Sequence, residues 1–275
     1  MAIPKIIHSV WVGGGKKSEL VKKCEASWRK HLPDYTFIEW NEGNYDFDSC
    51  PYARRMYDLK AWGFLSDPMR MHALKEYGGF YLDADMLVHK SLNPLLDAEL
   101  VMGFMFDCAL ETAIIGASKE CPIIADLHKF YYTYGNGPII SNSPVTWYFL
   151  KNVAGFRLTG ETQVLPHGVH LYQRKYFGSP TYSRKMGYAT HLGMGSWSGT
   201  EGVEQIHGRV PLWVKKGLRY LLGSVLYCDL HQRYLLPHVT EFYPTYCLHK
   251  RGESGTVYPE QEEQKLVLKM LEFGS

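Results

Sequence analysis

The stretch Ser66–Asp85, with the sequence SDPMRMHALKEYGGFYLDAD, decides the fold of this 275-residue chain. It ends in a short apolar strand, Phe80–Leu82, that leads directly into two carboxylates, Asp83 and Asp85. In open α/β sheets, ligands bind beyond the carboxyl ends of the strands. The two carboxylates stand two positions apart, so in an extended backbone they project to the same side and can share a divalent cation. The alternative is a turn with two solvated acidic residues.

The same stretch begins with the pattern of a helix start. Asp67 is a favourable N-cap residue, and Pro68 after it suits the first helical position. Upstream, the segment Ile6–Val12 predicts a strand, the apolar positions between residues 20 and 28 predict an amphipathic helix, and Tyr35–Trp40 predicts a second strand. A strand, a helix and a second strand in succession form a βαβ unit, which indicates the α/β fold class.

The composition excludes several classes of protein. Hydrophobic residues make up 45% of the chain and charged residues 21%, which is ordinary for a globular protein and excludes a disordered chain. The formal net charge of +2 excludes a generally basic nucleic-acid binder. None of the 6 cysteines stands in a C-x-x-C pair, so we expect free thiols in a reducing compartment. We see no secretory signal and no membrane-spanning apolar run, so we expect a cytoplasmic location.

Three separated blocks of the sequence resemble one known family, in the same order along the chain. The blocks are Ser66–Asp85, the opening Ile3–Gly14, and His191 with Gly195-Ser196-Trp197, which matches an H-x-x-x-G-S-W signature. The family is that of the retaining glycosyltransferases with a D-x-D sugar-binding region. It includes the yeast initiating mannosyltransferases, bacterial capsule and lipopolysaccharide glycosyltransferases and, more distantly, the large clostridial glucosylating toxins.

The resemblance implies a GT-A fold, in which a Rossmann-like α/β domain binds a nucleotide sugar. We therefore expect a single-domain catalytic core over residues 1–200. A helical and irregular extension, residues 201–275, is expected to pack on the core and contact the acceptor.

The resemblance also assigns metal ligands. Asp83 and Asp85 match the carboxylates that bind the metal and the sugar, and Asp85 is the more direct ligand of Mn²⁺ or Mg²⁺. His191 or Ser196 matches a further metal ligand, and Trp197 matches a contact to the diphosphate.

Around the donor, Trp11 beside Val10 matches an aromatic residue that stacks on the nucleobase, with a packed core tryptophan as the alternative. Asp67 and Arg70 stand three positions apart and share a helix face. By resemblance, Asp67 accepts hydrogen bonds from sugar or ribose hydroxyls, Arg70 binds the diphosphate, and Ser66 adds a ribose contact. In the structural alternative, Asp67 is the N-cap of the helix and Arg70 is its salt-bridge partner.

The implied reaction moves a hexose from a nucleotide sugar to a hydroxyl of a glycan or lipid-linked oligosaccharide acceptor and keeps the anomeric configuration. A divalent metal on Asp85, together with Arg70, would neutralise the leaving diphosphate. We expect a UDP-hexose donor and a role in surface polysaccharide synthesis, of capsule or lipopolysaccharide. The alternatives are a GDP-mannose-dependent mannosyltransferase, a catalytically silent binding subunit of a glycosyltransferase complex, and a D-x-D phosphohydrolase, which lacks a nucleophile motif here.

The later part of the chain has the charge pattern of a protein with an anionic partner. Eight basic and two acidic residues lie in the segment Thr162–Cys228. Within Pro211–Pro237, the basic residues Lys215, Lys216 and Arg219 stand among aromatic and leucine residues, a pattern typical of a helix that lies on an anionic membrane. We expect peripheral contact with the cytoplasmic face of a membrane, and a core-packed helix is the alternative.

Overall fold

The computed structural model describes residues 2–135, 137–140, 143–178, 187–193, 230 and 240–272. The helices of these residues are α1 (Glu19–His31), α2 (Pro51–Asp58), α3 (Trp62–Tyr77), α4 (Pro122–Tyr134), α5 (Ser143–Asn152), α6 (Tyr243–Lys250) and α7 (Glu262–Met270). The strands are β1 (Ile6–Val10), β2 (Thr36–Trp40), β3 (Gly79–Leu82), β4 (Met86–Val88), β5 (Leu100–Phe106), β6 (Ala109–Ala117), β7 (Gln163–Leu165), β8 (Val169–Tyr172) and β9 (Ala189–His191).

Seven of the described strands form one mixed sheet in the order β2-β1-β3-β6-β5-β8-β7. Strand β1 runs parallel to β2 and to β3, and helical segments connect these strands, as in a Rossmann-like half. Strand β6 runs antiparallel between β3 and β5. The α/β fold class that we predicted from the sequence is confirmed, with the acidic pair directly after β3.

A second, two-stranded sheet pairs β4 with β9 in antiparallel register. Strand β4 follows β3 after a tight turn, in which the N–H of Met86 donates to the carbonyl of Asp83 at 2.9 Å. The backbone therefore turns through the acidic pair and is not extended there. The turn lets the chain leave the large sheet and start the small one, and it places both carboxylates at the junction.

Apolar side chains pack on both faces of the large sheet. Tyr81 belongs to the larger cluster, which is built mainly from α2, α3, α4 and α5. Its neighbours in the strand, Phe80 and Leu82, belong to the smaller cluster, which includes Trp28 of α1. Since neighbouring residues of a strand point to opposite faces, β3 is buried on both sides and carries the acidic pair on a rigid support.

Helix α3 begins at Trp62, earlier than the sequence pattern predicted. The predicted helix start at Ser66 to Pro68 is wrong, because Pro68 lies inside the helix. Phe64 and Leu65 are buried in the larger cluster, and their burial offsets the cost of a proline in a helix interior. Asp67 is therefore not an N-cap residue, and its carboxylate makes other contacts.

The described C-terminal residues pack on the core. Arg157 donates through Nη2 to the carbonyls of His249 at 2.8 Å and Glu253 at 3.0 Å. No helix among the described residues is both long and apolar enough to span a bilayer. The predicted domain boundary at residue 200 and, apart from residue 230, the basic segment Pro211–Pro237 lie outside the described residues, so both stay predictions.

His8 ties β1 to both of its parallel neighbours. The ring is fully buried, and Trp40 of β2 donates through Nε1 to His8 Nδ1 at 3.2 Å. The other ring nitrogen, Nε2, therefore carries the proton and donates to the carbonyl of Gly78 at 2.8 Å, next to β3. Burial lowers the pKa of His8 to about 4 against the opposing effect of the bond to Gly78, so the folded protein holds this ring neutral.

We predict that His8 makes the fold less stable as the pH falls from 6.5 towards 4. In this window the ring takes up a proton in the unfolded chain but not in the folded protein, so falling pH favours unfolding. The loss is on the order of 3 kcal/mol. In urea denaturation, the stability advantage of the wild type over His8→Gln should shrink across the window, because glutamine does not titrate there. An advantage that stays constant with pH would contradict the prediction.

Candidate metal centre

Three side chains converge beyond the carboxyl end of β3. A carboxylate oxygen of Asp83, one of Asp85 and a ring nitrogen of His191 all lie within 4.8 Å of one another. Carboxylate oxygens and an imidazole nitrogen are common ligands of divalent cations in proteins. The donor set therefore fits the divalent metal that the sequence implied, and it unites three of the four predicted ligands.

The register of the small sheet places His191 in this cluster. Met86 of β4 pairs with His191 of β9, so the backbone of His191 lies across the ribbon from the residue that follows Asp85. The N–H of Leu192 donates to the carbonyl of Asp85 at 3.2 Å and continues the pairing by one residue. His191 Nε2 lies 3.4 Å from Asp85 Oδ1, which makes this nitrogen the one that faces the acidic pair.

The other ring nitrogen of His191 contacts a residue that sequence reasoning missed. Nδ1 lies 2.6 Å from Oε1 of Glu111, whose side chain is 1% exposed. A signal was present in the sequence, because Glu111 is the one charged residue of the buried strand Ala109–Ala117, and a buried charge needs a partner. Burial lowers the pKa of His191, but the hydrogen bonds to Asp85 and Glu111 outweigh it and raise the pKa well above its usual value.

Arg70 supports Asp83 from α3. Its guanidinium is buried, and Nη2 lies 3.2 Å from Oδ1 of Asp67 and 3.4 Å from Oδ1 of Asp83. Nη1 donates to the carbonyl of Thr112 at 2.6 Å. The guanidinium also lies over the ring of Tyr81, 4.6 Å from its centroid, and the Tyr81 hydroxyl donates to Asp83 Oδ1 at 2.8 Å. Arg70 and Tyr81 together hold the Asp83 carboxylate in one orientation.

Ser66, Asp67 and Arg70 form one buried network. Arg70 Nη2 donates to Ser66 Oγ at 2.6 Å, and that hydroxyl donates to the carbonyl of Gly63 at 2.7 Å. Burial raises the pKa of Asp67 to about 6; Arg70 opposes this shift, and Asp83 adds to it. The predicted Asp67–Arg70 pair is therefore present, but as a buried ion pair beside the acidic site and not as a cap with its partner.

Trp11 follows β1 at the same edge of the sheet. It is half-buried, so the contact to a nucleobase and the alternative of a packed core tryptophan both stay predictions. Its indole N–H donates to the carbonyl of Gly15 at 2.8 Å, which holds the ring in place. Gly13 has a φ of 82°, and a Cβ there would lie 2.8 Å from the ring of Trp62, so the glycine lets the loop close against that side chain.

Three further residues were predicted to contact the donor or the metal, and these contacts stay predictions. Val10 ends β1 and packs, partly buried, against the larger core cluster. Ser196 and Trp197 lie outside the described residues, so their predicted contacts to the metal and the diphosphate stay predictions.

Comparison with known proteins finds a family match over the region that contains the acidic pair. Residues 18–102 match the family model described as "Glycosyltransferase sugar-binding region containing DXD motif". The chain is 28% identical over 144 residues to "Inositol phosphoceramide mannosyltransferase 3" of Schizosaccharomyces pombe, an alignment that covers 48% of this chain and 39% of the relative. It is 23% identical over 193 residues to "Mannosyl phosphorylinositol ceramide synthase CSH1" of Saccharomyces cerevisiae, with 64% of this chain and 50% of the relative covered.

The matched part thus spans half or less of the length of these two curated relatives. Among solved structures, the chain is similar to "PaToxG Glycosyltransferase", with a TM-score of 0.42 and 21% sequence identity over 50% of this chain and 62% of that chain. The resemblance to the D-x-D glycosyltransferases that we inferred from the sequence is confirmed by the match to the family model and by the sequence relatives.

We predict that Asp85→Ala weakens Mn²⁺ binding at least tenfold, because it removes a carboxylate that faces His191. Electron paramagnetic resonance of free Mn²⁺ measures the affinity directly. Asp34→Ala is the control, since this exposed carboxylate pairs with Lys5 on the surface. The melting temperature of the apo protein should change little, because Asp85 lies in a turn. Equal Mn²⁺ affinity in Asp85→Ala and in the wild type would refute the assignment.

Proposed function

We propose that this chain is a metal-dependent, retaining glycosyltransferase that moves a hexose from a nucleotide sugar to an acceptor hydroxyl. The observation that carries the proposal is the convergence of Asp83, Asp85 and His191 beyond the carboxyl end of β3. The acidic pair belongs to the region that matches the sugar-binding model. Ligands of open α/β sheets bind at this edge, so the fold and the donor set support the same site.

Asp83, Asp85 and His191 are proposed to hold the cation, with Ser196 as a further ligand. Two carboxylates with one imidazole favour Mn²⁺ over Mg²⁺, because Mg²⁺ prefers oxygen ligands and water. The bound cation would stabilise the negative charge that develops on the leaving diphosphate.

Arg70 and Asp67 are proposed to act on the donor from α3. Burial alone would lower the pKa of Arg70, but the neighbouring Asp83, Tyr81 and Asp67 raise it, so the guanidinium keeps its charge in the buried site. That charge lies beside the acidic pair, where it can attract the diphosphate. The Asp67 carboxylate has no proton to donate when ionised and can only accept, which suits a hydroxyl of the sugar or the ribose.

Trp11 is proposed to stack on the nucleobase. The indole is held by its bond to Gly15 and is partly exposed, and the face of an indole is an apolar surface on which a flat ligand can stack. It follows the strand next to β3, at the same end of the sheet as the proposed cation. Trp197 is proposed to contact the diphosphate, which would lie between the nucleobase and the cation.

The names of the relatives bear on the sugar and the acceptor. One relative is named as a mannosyltransferase of inositol phosphoceramide and the other as a mannosyl phosphorylinositol ceramide synthase. These names favour a GDP-mannose donor, the alternative in the sequence analysis, over a UDP-hexose. They also favour a lipid-linked acceptor over a surface polysaccharide. We propose that the basic segment Pro211–Pro237 brings the enzyme to such an acceptor at a membrane surface.

Hydrolysis of a donor panel without acceptor tests the proposal. GDP-mannose, UDP-glucose, UDP-galactose and UDP-N-acetylglucosamine are incubated with Mn²⁺, with and without a chelator. We expect one donor to be hydrolysed, and only with the metal, and we expect Asp83→Asn to abolish that hydrolysis. Donor binding without any turnover, even with added acceptors, would favour the silent binding subunit instead.

We predict that Trp11→Ala raises the KM for the donor through the loss of a stacking contact worth about 1–3 kcal/mol. Trp11→Phe keeps an aromatic face and should recover most of the affinity. Steady-state kinetics and thermal unfolding of both variants provide the measurement. An unchanged KM together with a large drop in melting temperature would show that Trp11 only packs.

A further inference from the structure

We propose that Glu111 is a positioning residue of the metal centre, which holds the Nδ1–H of His191 and so presents Nε2 to the cation. The inference rests on the proposed function, because it needs a cation between Asp83, Asp85 and His191. It adds a residue from β6, a strand that lies outside the three sequence blocks quoted above and outside residues 18–102 of the family match.

The geometry assigns one role to each ring nitrogen of His191. Glu111 Oε1 lies 2.6 Å from Nδ1, and an ionised carboxylate can only accept a hydrogen bond. Nδ1 must therefore carry a proton. Nε2 lies 3.4 Å from Asp85 Oδ1 on the opposite side of the ring, which leaves Nε2 as the nitrogen that can bind a metal beside the acidic pair.

The surroundings of Glu111 point to this role and not to packing. Every residue of β6 is buried, and a strand that only packed would carry an apolar side chain at position 111. Within the described part of the chain, Oε2 of Glu111 is buried without a hydrogen-bond partner. Burial of a carboxylate raises the free energy of the folded state, and the bond to His191 compensates part of this cost.

The backbone holds Glu111 firmly in the large sheet while His191 belongs to the small one. Glu111 pairs with Gly103 of β5, and the register between β5 and β6 is irregular on both sides of this pair. Such irregularities redirect side chains and are frequent beside active sites. The contact from Glu111 to His191 thus fixes β9 against the central sheet at the site itself.

Metal-binding histidines usually donate their second N–H to a carboxylate, and the loss of that partner typically costs about 10- to 100-fold in metal affinity. We therefore expect Glu111→Gln to weaken Mn²⁺ binding by about this factor, measured by titration of free Mn²⁺ with electron paramagnetic resonance. Glu99→Gln is the matched control, because Glu99 accepts a hydrogen bond from Ser118 at 2.7 Å near the other end of the sheet.

The same titration in a His191→Ala background separates positioning from general structure. If Glu111 acts through His191, Glu111→Gln causes no further loss of affinity once the imidazole is absent. A loss of the same size in both backgrounds would overturn the proposal, and so would wild-type affinity in Glu111→Gln. Wild-type protein that binds no Mn²⁺ at all would overturn the proposed function as well, so the two failures are distinguishable.

A measurement on the wild type keeps the proposal testable if Glu111→Gln does not fold. In protein loaded with diamagnetic Cd²⁺, long-range proton–nitrogen correlation identifies which nitrogen of His191 carries the proton. We expect a protonated Nδ1 and a metal-bound Nε2. The reverse assignment, or an imidazole that does not bind the metal, would overturn the proposal.

Discussion

The antiparallel pairing of β4 with β9 is the constraint on which the whole site depends. Met86 faces His191 in this register, and the bond from Leu192 to the carbonyl of Asp85 extends it to the acidic pair. A slip by one residue would turn the imidazole to the other face of the ribbon, since side chains alternate along a strand. The metal centre is thus a result of strand register as much as of residue type.

The second requirement is charge compensation in a buried setting. Asp67 and Arg70 are almost fully buried, and Asp83 is mostly buried beside them. Carboxylates in such a position are destabilising unless a cation lies next to them. The Arg70 guanidinium meets this need from α3, and the Nδ1–H of His191 gives Glu111 a hydrogen-bond partner. The fold therefore holds a cluster of charges ready at one edge of the sheet, where an anionic diphosphate and a divalent metal can bind.

Local sequence patterns predict the fold class and the acidic pair, because a strand, its preceding glycines and the carboxylates after it are neighbours in the chain. The predicted start of α3 was wrong. A capping pattern at Asp67 is local, and it does not show that distant residues bury Phe64 and extend the helix. His191 could be assigned only through the resemblance. Glu111 was missed because its partner lies 80 positions away and tertiary pairing alone brings them together.

The central claim is that one divalent cation binds between Asp83, Asp85 and His191. Crystals grown with Mn²⁺ and the donor's nucleoside diphosphate, with diffraction data recorded near the manganese absorption edge, test it directly. The account predicts one strong anomalous peak at coordination distance from Asp85 and from Nε2 of His191, with the diphosphate on its open side. A manganese ion bound elsewhere, or a bound nucleotide with no ion at these side chains, would contradict the account.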